Sequence, residues 1–278
     1  MPLAKQTDVE VYYELAGSGP PVLFIQGVGV AGGGWGSQVS DLAKDFQTLV
    51  FDNRGLGKSI PCRGPITIEA MAEDAWALMD AAGWESAHVV GHSMGGVIAQ
   101  QLALDVPHRV RSLSLLCTFP RGKDAARVTP WVLWMTLRTR IGTRRMRRRA
   151  FLKMLFAEDD LRQADTDTLA TKVGALVGRD LADSPPILMK QVRALSRHDI
   201  SVRLGKLVPI PALVVSAEHD PIAPPRYGRR LAQLISGAKF EEFKGASHGV
   251  IIDRAEAINR RLREFIGTAE RSRGATSK

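Results

Sequence analysis

The sequence predicts an α/β protein: a mainly parallel sheet covered by helices on both faces and interrupted once by a helical insertion. Three observations lead there. Short apolar, β-branched runs bounded by turn residues recur along the chain, several are separated by segments of helical spacing, and the alternation lapses between Phe119 and Gly205. Strands alternating with helices build parallel sheets, which are buried on both faces and so read as continuous apolar runs.

In chain order the runs are Val9–Tyr13, Pro21–Gln26, Thr48–Phe51, His88–Gly91, Leu113–Cys117, Ala212–Ser216 and Lys239–Phe243. The first lies near a Gly-Ser-Gly-Pro turn and is expected to be antiparallel at the sheet edge. Ile68, Met71, Ala72, Ala75 and Met79 repeat at helical spacing before Gly83, and Met94, Val97, Ile98 and Leu102 do so after the fourth run. The stretch 119–205 is too long for a bare loop and rich in helix formers, which divides the chain into a core of residues 1–118 and 206–278 and a helical cap of residues 119–205. Trp131, Trp134, Met135, Phe151, Leu152, Leu155 and Phe156 give the cap an apolar surface, suited either to packing on the sheet or to roofing a pocket. The polar tail after Gly267 is expected to fray.

With 278 residues, 45% of them hydrophobic, the chain can bury the core of one large domain. The opening MPLAKQTDVE has no apolar leader core, and no run approaches the roughly 18 to 20 apolar residues of a membrane span, so a cytoplasmic location is expected. Cys62 and Cys117 are too few for a disulfide framework and read as too isolated for zinc. His88 and His92 flank a strand in which four positions span about 13 Å, too far to share an ion, so neither metal nor cofactor is expected.

The net charge of +9 is concentrated: residues 119–205 hold 18 lysines and arginines against 9 aspartates and glutamates, an excess equal to that of the whole chain. The densest part is RTRIGTRRMRRRAFLK, Arg138 to Lys153. Such a run can be a solvated outer face, an attractor for an anionic substrate, or a contact for a membrane or polyanion. Aromatic stacking platforms are not interleaved among its arginines, so nucleic acid is not expected as a partner.

Gly27-Val28-Gly29-Val30-Ala31-Gly32 fits the G-x-G-x-x-G dinucleotide fingerprint, with Asp52 as a ribose acid, but also fits a turn that holds an oxyanion. The rest of the chain favours the turn. The fourth run leads into Gly91-His92-Ser93-Met94-Gly95-Gly96 and then a helical pattern, the strand-turn-helix setting of a nucleophile elbow, whose tight turn needs the flanking glycines. A serine hydroxyl is a weak nucleophile at neutral pH, so it needs a base and a group to orient that base. His248 follows the last strand in Gly245-Ala246-Ser247-His248-Gly249, and Asp220 follows the strand Ala212–Ser216, with Glu218 as a rival acid in the same loop. The order Ser, Asp, His places each group beyond a strand's carboxyl end, where open α/β sheets bind ligands.

From about residue 8 to 266 the chain resembles the α/β-hydrolase superfamily, through Gln26-Gly27-Val28-Gly29 with Trp35, Asp52-Asn53-Arg54-Gly55-Leu56-Gly57-Lys58-Ser59, the Ser93 elbow, His219-Asp220-Pro221 with Pro224-Pro225, and Ser247-His248-Gly249. It looks most like small carboxylesterases and the enol-lactone hydrolases of aromatic degradation. The resemblance implies an eight-stranded sheet with a cap after the sixth strand, Ser93, Asp220 and His248 as catalytic residues, and an oxyanion hole from the backbone N–H groups of Val28 and Met94. It also implies a substrate pocket drawing on Gln26, Gly27, His92, Trp131 and Trp134. Gln26 departs from the pattern, which usually has His there. The fingerprint is then a decoy: Gly32, Gly33 and Gly34 would weaken a helix's first turn by about 1 kcal/mol each, and Asp52 belongs to the D-x-R-G-x-G-x-S stretch.

The expected function is a serine hydrolase that cleaves short or medium carboxylic esters through an acyl-enzyme, with a small-molecule ester or lactone as its partner. Lactone hydrolysis, carbon-carbon bond hydrolysis or perhydrolysis could use the same triad. A serine in the elbow argues against haloalkane dehalogenase or epoxide hydrolase activity, whose enzymes in this superfamily place Asp there. A non-catalytic binding protein on the same scaffold would predict a damaged triad.

Overall fold

The computed structural model describes residues 3–5, 8–125 and 129–276. Its sheet has eight strands: β1 (Leu3–Lys5), β2 (Glu10–Ala16), β3 (Pro21–Ile25), β4 (Gln47–Phe51), β5 (Ala87–His92), β6 (Val110–Leu116), β7 (Ala212–Ala217) and β8 (Lys239–Phe243), in the order β1-β2-β4-β3-β5-β6-β7-β8. From β4 to β8 every pairing is parallel, while β1 and β2 close one edge antiparallel. The three-residue β1 carries too few residues to show a pattern, so it is visible only through its pairing with β2.

Alternate residues of the central strands point to opposite faces, and each face finds its own helices. On one side Leu23, Ile25, Val89, Leu113 and Val214 pack with Met71 and Leu78 of α2 (Ile68–Ala81) and with Ile98 and Leu102 of α3 (Met94–Asp105). On the other, Val22, Phe24, Val90, Leu213 and Val215 meet Trp35, Leu42 of α1 (Gly36–Leu42), and Ile258, Leu262 and Phe265 of α12 (Ala255–Thr276). Thr67 caps α2 by accepting the Ala70 N–H at 3.1 Å, which fixes where that helix leaves the loop after β4.

Two sequence expectations are corrected here. The tail after Gly267 does not fray within the described residues, because α12 continues to Thr276. It is anchored by Ala269, which is buried, and by Glu270, whose carboxylate lies 3.0 Å from His88 Nε2 and 3.3 Å from Arg111 Nη1. A polar tail can thus be held by buried partners that lie far away in sequence.

Between β6 and β7 the chain forms α4 (Gly122–Ala125), α5 (Pro130–Arg138), α6 (Arg144–Leu155), α7 (Glu158–Gln163), α8 (Thr166–Val177) and α9 (Ile187–Arg197), while α10 (Pro225–Leu234) follows β7 and α11 (Val250–Asp253) follows β8. Leu152, Phe156, Ala170, Val173, Val177 and Leu181 give this insertion a small core of its own. Its basic stretch is partly neutralised locally: Arg144 and Arg148 both bind Asp180, and Arg145 lies 3.1 Å from Asp167. The second correction concerns Trp131 and Trp134: α5 turns Val132 inward and leaves them 43% and 54% exposed, so neither roofs a buried pocket as expected. No helix among the described residues is long and apolar enough to cross a membrane.

Candidate active site

Ser93 sits between β5 and α3 with φ 56° and ψ −122°, a left-handed φ that a non-glycine residue holds only under strain. The turn closes because its neighbours lack side chains. A Cβ on Gly91 would lie 2.3 Å from the Gly95 carbonyl oxygen, and one on Gly95 would lie 2.1 Å from the Ile25 carbonyl oxygen. The strained peptide is tied down by Thr118, whose hydroxyl donates to the Ser93 carbonyl at 2.6 Å, and by the Ser93 N–H, which donates to the Leu116 carbonyl at 2.9 Å.

His248 bridges the two other sequence-predicted residues. Its Nε2 is 3.1 Å from Ser93 Oγ and its Nδ1 is 2.7 Å from Asp220 Oδ2. All three are buried, with Ser93 8%, His248 4% and Asp220 3% exposed, so little water competes for these contacts. The rival Glu218 points elsewhere: its carboxylate accepts the Gly245 N–H at 3.0 Å and pairs with Lys244 at 3.0 Å.

Burial works to raise the Asp220 pKa, but it is outweighed, and the carboxyl lies below its ordinary value. The opposing causes are His248 and the N–H groups of Ala223 and Ile222, which donate to Oδ1 at 2.7 and 2.8 Å. Cys117, at the end of β6, also faces this carboxylate; burial and then Asp220 push its thiol well above its usual pKa. It therefore serves as a neutral neighbour of Asp220.

His92 occupies a different place from the one expected. It is 6% exposed, its Nε2–H donates to the His248 carbonyl at 2.9 Å, and burial, followed by the nearby His248, lowers its pKa to about 3. A neutral ring with a proton on Nε2 supports the His248 backbone from below instead of lining a pocket. Ligand-type atoms of His92, Cys117 and His248 fall within 4.8 Å of one another, which corrects the reading of Cys117 as isolated. The group suits a metal poorly, since the thiol is held protonated beside a carboxylate and both histidines are engaged in hydrogen bonds.

The turn after β3 lies against the serine: a Cβ on Gly27 would come within 3.0 Å of Ser93 Cβ and 3.4 Å of its Oγ. Gln26 is almost wholly buried and bends back, its Oε1 accepting the Gly27 N–H at 3.1 Å, so the unusual residue shapes the turn. Sequence reasoning missed the braces around it. Asn53 Nδ2 donates to the Gln26 carbonyl at 3.1 Å, while Asp52 accepts from the Gly32 N–H at 2.8 Å and the Lys58 N–H at 2.9 Å. The insertion reaches the same loop: Gln191 Oε1 accepts the Gly29 N–H at 2.8 Å, and the Val177 carbonyl accepts the Ala31 N–H at 3.2 Å. Asp52 is therefore engaged with backbone N–H groups, and Gly32–Trp35 forms only a short 3-10 turn before α1. Both facts fit the decoy reading of the glycine fingerprint.

The sequence profile described as the alpha/beta hydrolase fold matches residues 20–255, most of the chain. The chain belongs to the alpha/beta hydrolase fold family. Among the family's members, a protein of Azorhizobium caulinodans provisionally named carbamate hydrolase RutD is 43% identical over 122 residues, 44% of this chain and 46% of that protein. This match spans less than half the length of that relative. A Caulobacter protein (strain K31) with the same provisional name is 30% identical over 263 residues, covering 92% of this chain and 95% of that one. Among solved structures, the enol-lactonase of Burkholderia xenovorans LB400 superposes with a TM-score of 0.80 at 28% identity, covering 96% of this chain and all of that one.

Proposed function

We propose that this hydrolase cleaves carboxylic esters in two steps. Ser93 Oγ attacks the acyl carbon as His248 Nε2 takes its proton, Asp220 holds the imidazole in the required tautomer, and water then releases the acyl group from Ser93. The backbone N–H groups of Val28 and Met94 take the role of oxyanion hole. Met94 opens α3, so its N–H has no acceptor within the helix, and Val28 follows the glycine that lies against Ser93. One such donor typically stabilises the developing oxyanion by about 3 to 4 kcal/mol.

The observation that carries this reading is the His248 bridge, 3.1 Å to the hydroxyl and 2.7 Å to the carboxylate. Likeness to an enol-lactonase supports an ester or lactone bond as the target. A carbamate is a second reading, favoured by the provisional name of the relative that aligns over 92% of the chain; it needs only that the same serine attack a carbonyl carbon bearing nitrogen. Short p-nitrophenyl esters test the proposal. Wild-type protein should turn them over and Ser93→Ala should lose nearly all activity, and a fluorophosphonate probe should label wild type at Ser93. Undiminished turnover in the variant would reject the assignment.

A further inference from the structure

Arg179 and Gln191 stand out because buried polar groups without partners are uncommon. Nε and Nη1 of Arg179 and Nε2 of Gln191 are buried and have no hydrogen-bond partner among the described residues. Both side chains bracket Gly29, two residues along the turn from the Gly27 that touches Ser93. A Cβ on Gly29 would lie 3.2 Å from Arg179 Nη2, and the Gly29 N–H is bound by Gln191 Oε1 at 2.8 Å.

How this fold treats a structural guanidinium is shown by Arg54. That residue, 4% exposed, takes both oxygens of Asp74 at 2.6 and 2.7 Å, with Asp8 at 3.3 Å. Arg179 has no such fork. Its nearest acids are engaged elsewhere: Asp180 binds Arg144 and Arg148, and Asp183 lies 3.2 Å from Arg144. Burial opposes its charge, and what it does have is the face of Phe151, 5.6 Å from the guanidinium carbon.

All the unmatched groups are donors, and two belong to a planar cation. The ligand that answers them offers only acceptors and a negative charge, which describes a carboxylate accepting from a guanidinium N–H of Arg179 and from the Gln191 amide N–H. We propose that Arg179 and Gln191 form a carboxylate-binding subsite beside the oxyanion turn, so that this protein prefers esters whose acyl part ends in a second, ionised carboxyl group. The proposal rests on the serine-hydrolase reading above. Gly29, which Arg179 and Gln191 bracket, is two residues beyond the glycine that lies against Ser93, so half-esters of short dicarboxylic acids such as glutarate are the probes of this subsite. The subsite gives one insertion arginine a role apart from the dense basic run Arg138 to Lys153.

The test compares kcat/KM for mono-p-nitrophenyl glutarate with that for its neutral methyl diester in wild type, Arg179→Leu, Arg179→Lys and Arg149→Gln. Arg149 is an exposed insertion arginine and reports general attraction by the basic surface. Wild type should favour the anion at least tenfold. Arg179→Leu should reduce that ratio tenfold or more, chiefly through KM, Arg179→Lys should fall between, and Arg149→Gln should keep the wild-type ratio. A wild-type ratio near one, or a ratio retained in both Arg179 variants, overturns the subsite. Calorimetric titration with glutarate reads it without turnover: saturable binding to wild type, weakened at least tenfold in Arg179→Lys, is expected, and no binding to wild type overturns it. Failure of the fluorophosphonate probe to label Ser93 would strike the serine-hydrolase reading, while glutarate binding would still decide the subsite.

Discussion

Asp220→Asn is the substitution whose effect follows most directly from the hydrogen bonds around the site. Asp220 Oδ1 accepts from Ile222 and Ala223 at 2.8 and 2.7 Å, and Oδ2 faces His248 Nδ1 at 2.7 Å. An asparagine must keep its oxygen on the two N–H groups, since its NH2 there would set donor against donor. The NH2 then faces Nδ1, which becomes an acceptor, and the imidazole proton moves to Nε2, 3.1 Å from Ser93 Oγ. The hydroxyl has lost its base. A comparable acid-to-amide change in a serine protease lowers kcat by about 10⁴ through the wrong tautomer, equivalent to roughly 5 kcal/mol of barrier. The assay is kcat on a short p-nitrophenyl ester near pH 8, with Glu218→Gln as the companion variant. Glu218 is bound to Gly245 and Lys244, so its change should cost less than threefold. More than a tenth of wild-type activity in Asp220→Asn, or a hundredfold loss in Glu218→Gln, would refute the reasoning.

Two further predictions concern stability. Both oxygens of Asp253 are buried without a hydrogen-bond partner, since Arg254 at 3.4 Å is an ion contact without hydrogen-bond alignment, and burial raises its pKa from 3.8 to about 6. A raised carboxyl pKa means that the folded state holds its proton longer, so folding loses stability as pH rises from about 4 through 6. Integrated, the penalty approaches roughly 3 kcal/mol at high pH, of which about 1.4 kcal/mol accrues between pH 5 and 8. Urea denaturation of Asp253→Asn should therefore show the variant gaining about that much on wild type over this interval, and parallel pH profiles would count against a buried, strained carboxylate. The second prediction is that ending the chain after Gly267 lowers the denaturation midpoint by the equivalent of about 1 to 3 kcal/mol, because it strips Glu270 from the buried His88. An unchanged midpoint would show that the end of α12 is not anchored as described.

What the sequence made legible was what depends on neighbours in the chain. The elbow glycines, the turn holding Asp220 and the loop holding His248 announce themselves because sharp backbone turns restrict residue type locally. Seven of the eight strands fall on runs visible in the sequence, although β8, KFEEF, is a partly exposed edge strand instead of a buried one, and the three-residue β1 leaves no run at all. Contacts that join distant segments were harder to see. Cys117 beside Asp220, His92 beneath the His248 carbonyl, and Asn53 and Asp52 bracing the turn each depend on how two strands or loops are registered in space. Trp131 and Trp134 misled for a related reason: helical spacing identifies an apolar stripe without saying whether anything covers it, and α5 turns Val132 inward instead. Arg179 sits outside the dense basic run, and its unmatched buried nitrogens arise from packing against the loop after β3, which is distant in the chain.

The insertion reaches the loops around Ser93 through the main chain and one amide side chain. The Leu155 carbonyl takes the N–H of Gly249, the residue after His248, while Val177 and Gln191 take N–H groups from the loop after β3. Whoever grafts a foreign lid onto this scaffold, hoping to import a new substrate range, must therefore supply three acceptors at matching positions. A transplant chosen only for the shape of its cavity would leave the loops bearing His248 and Val28 without their outer supports.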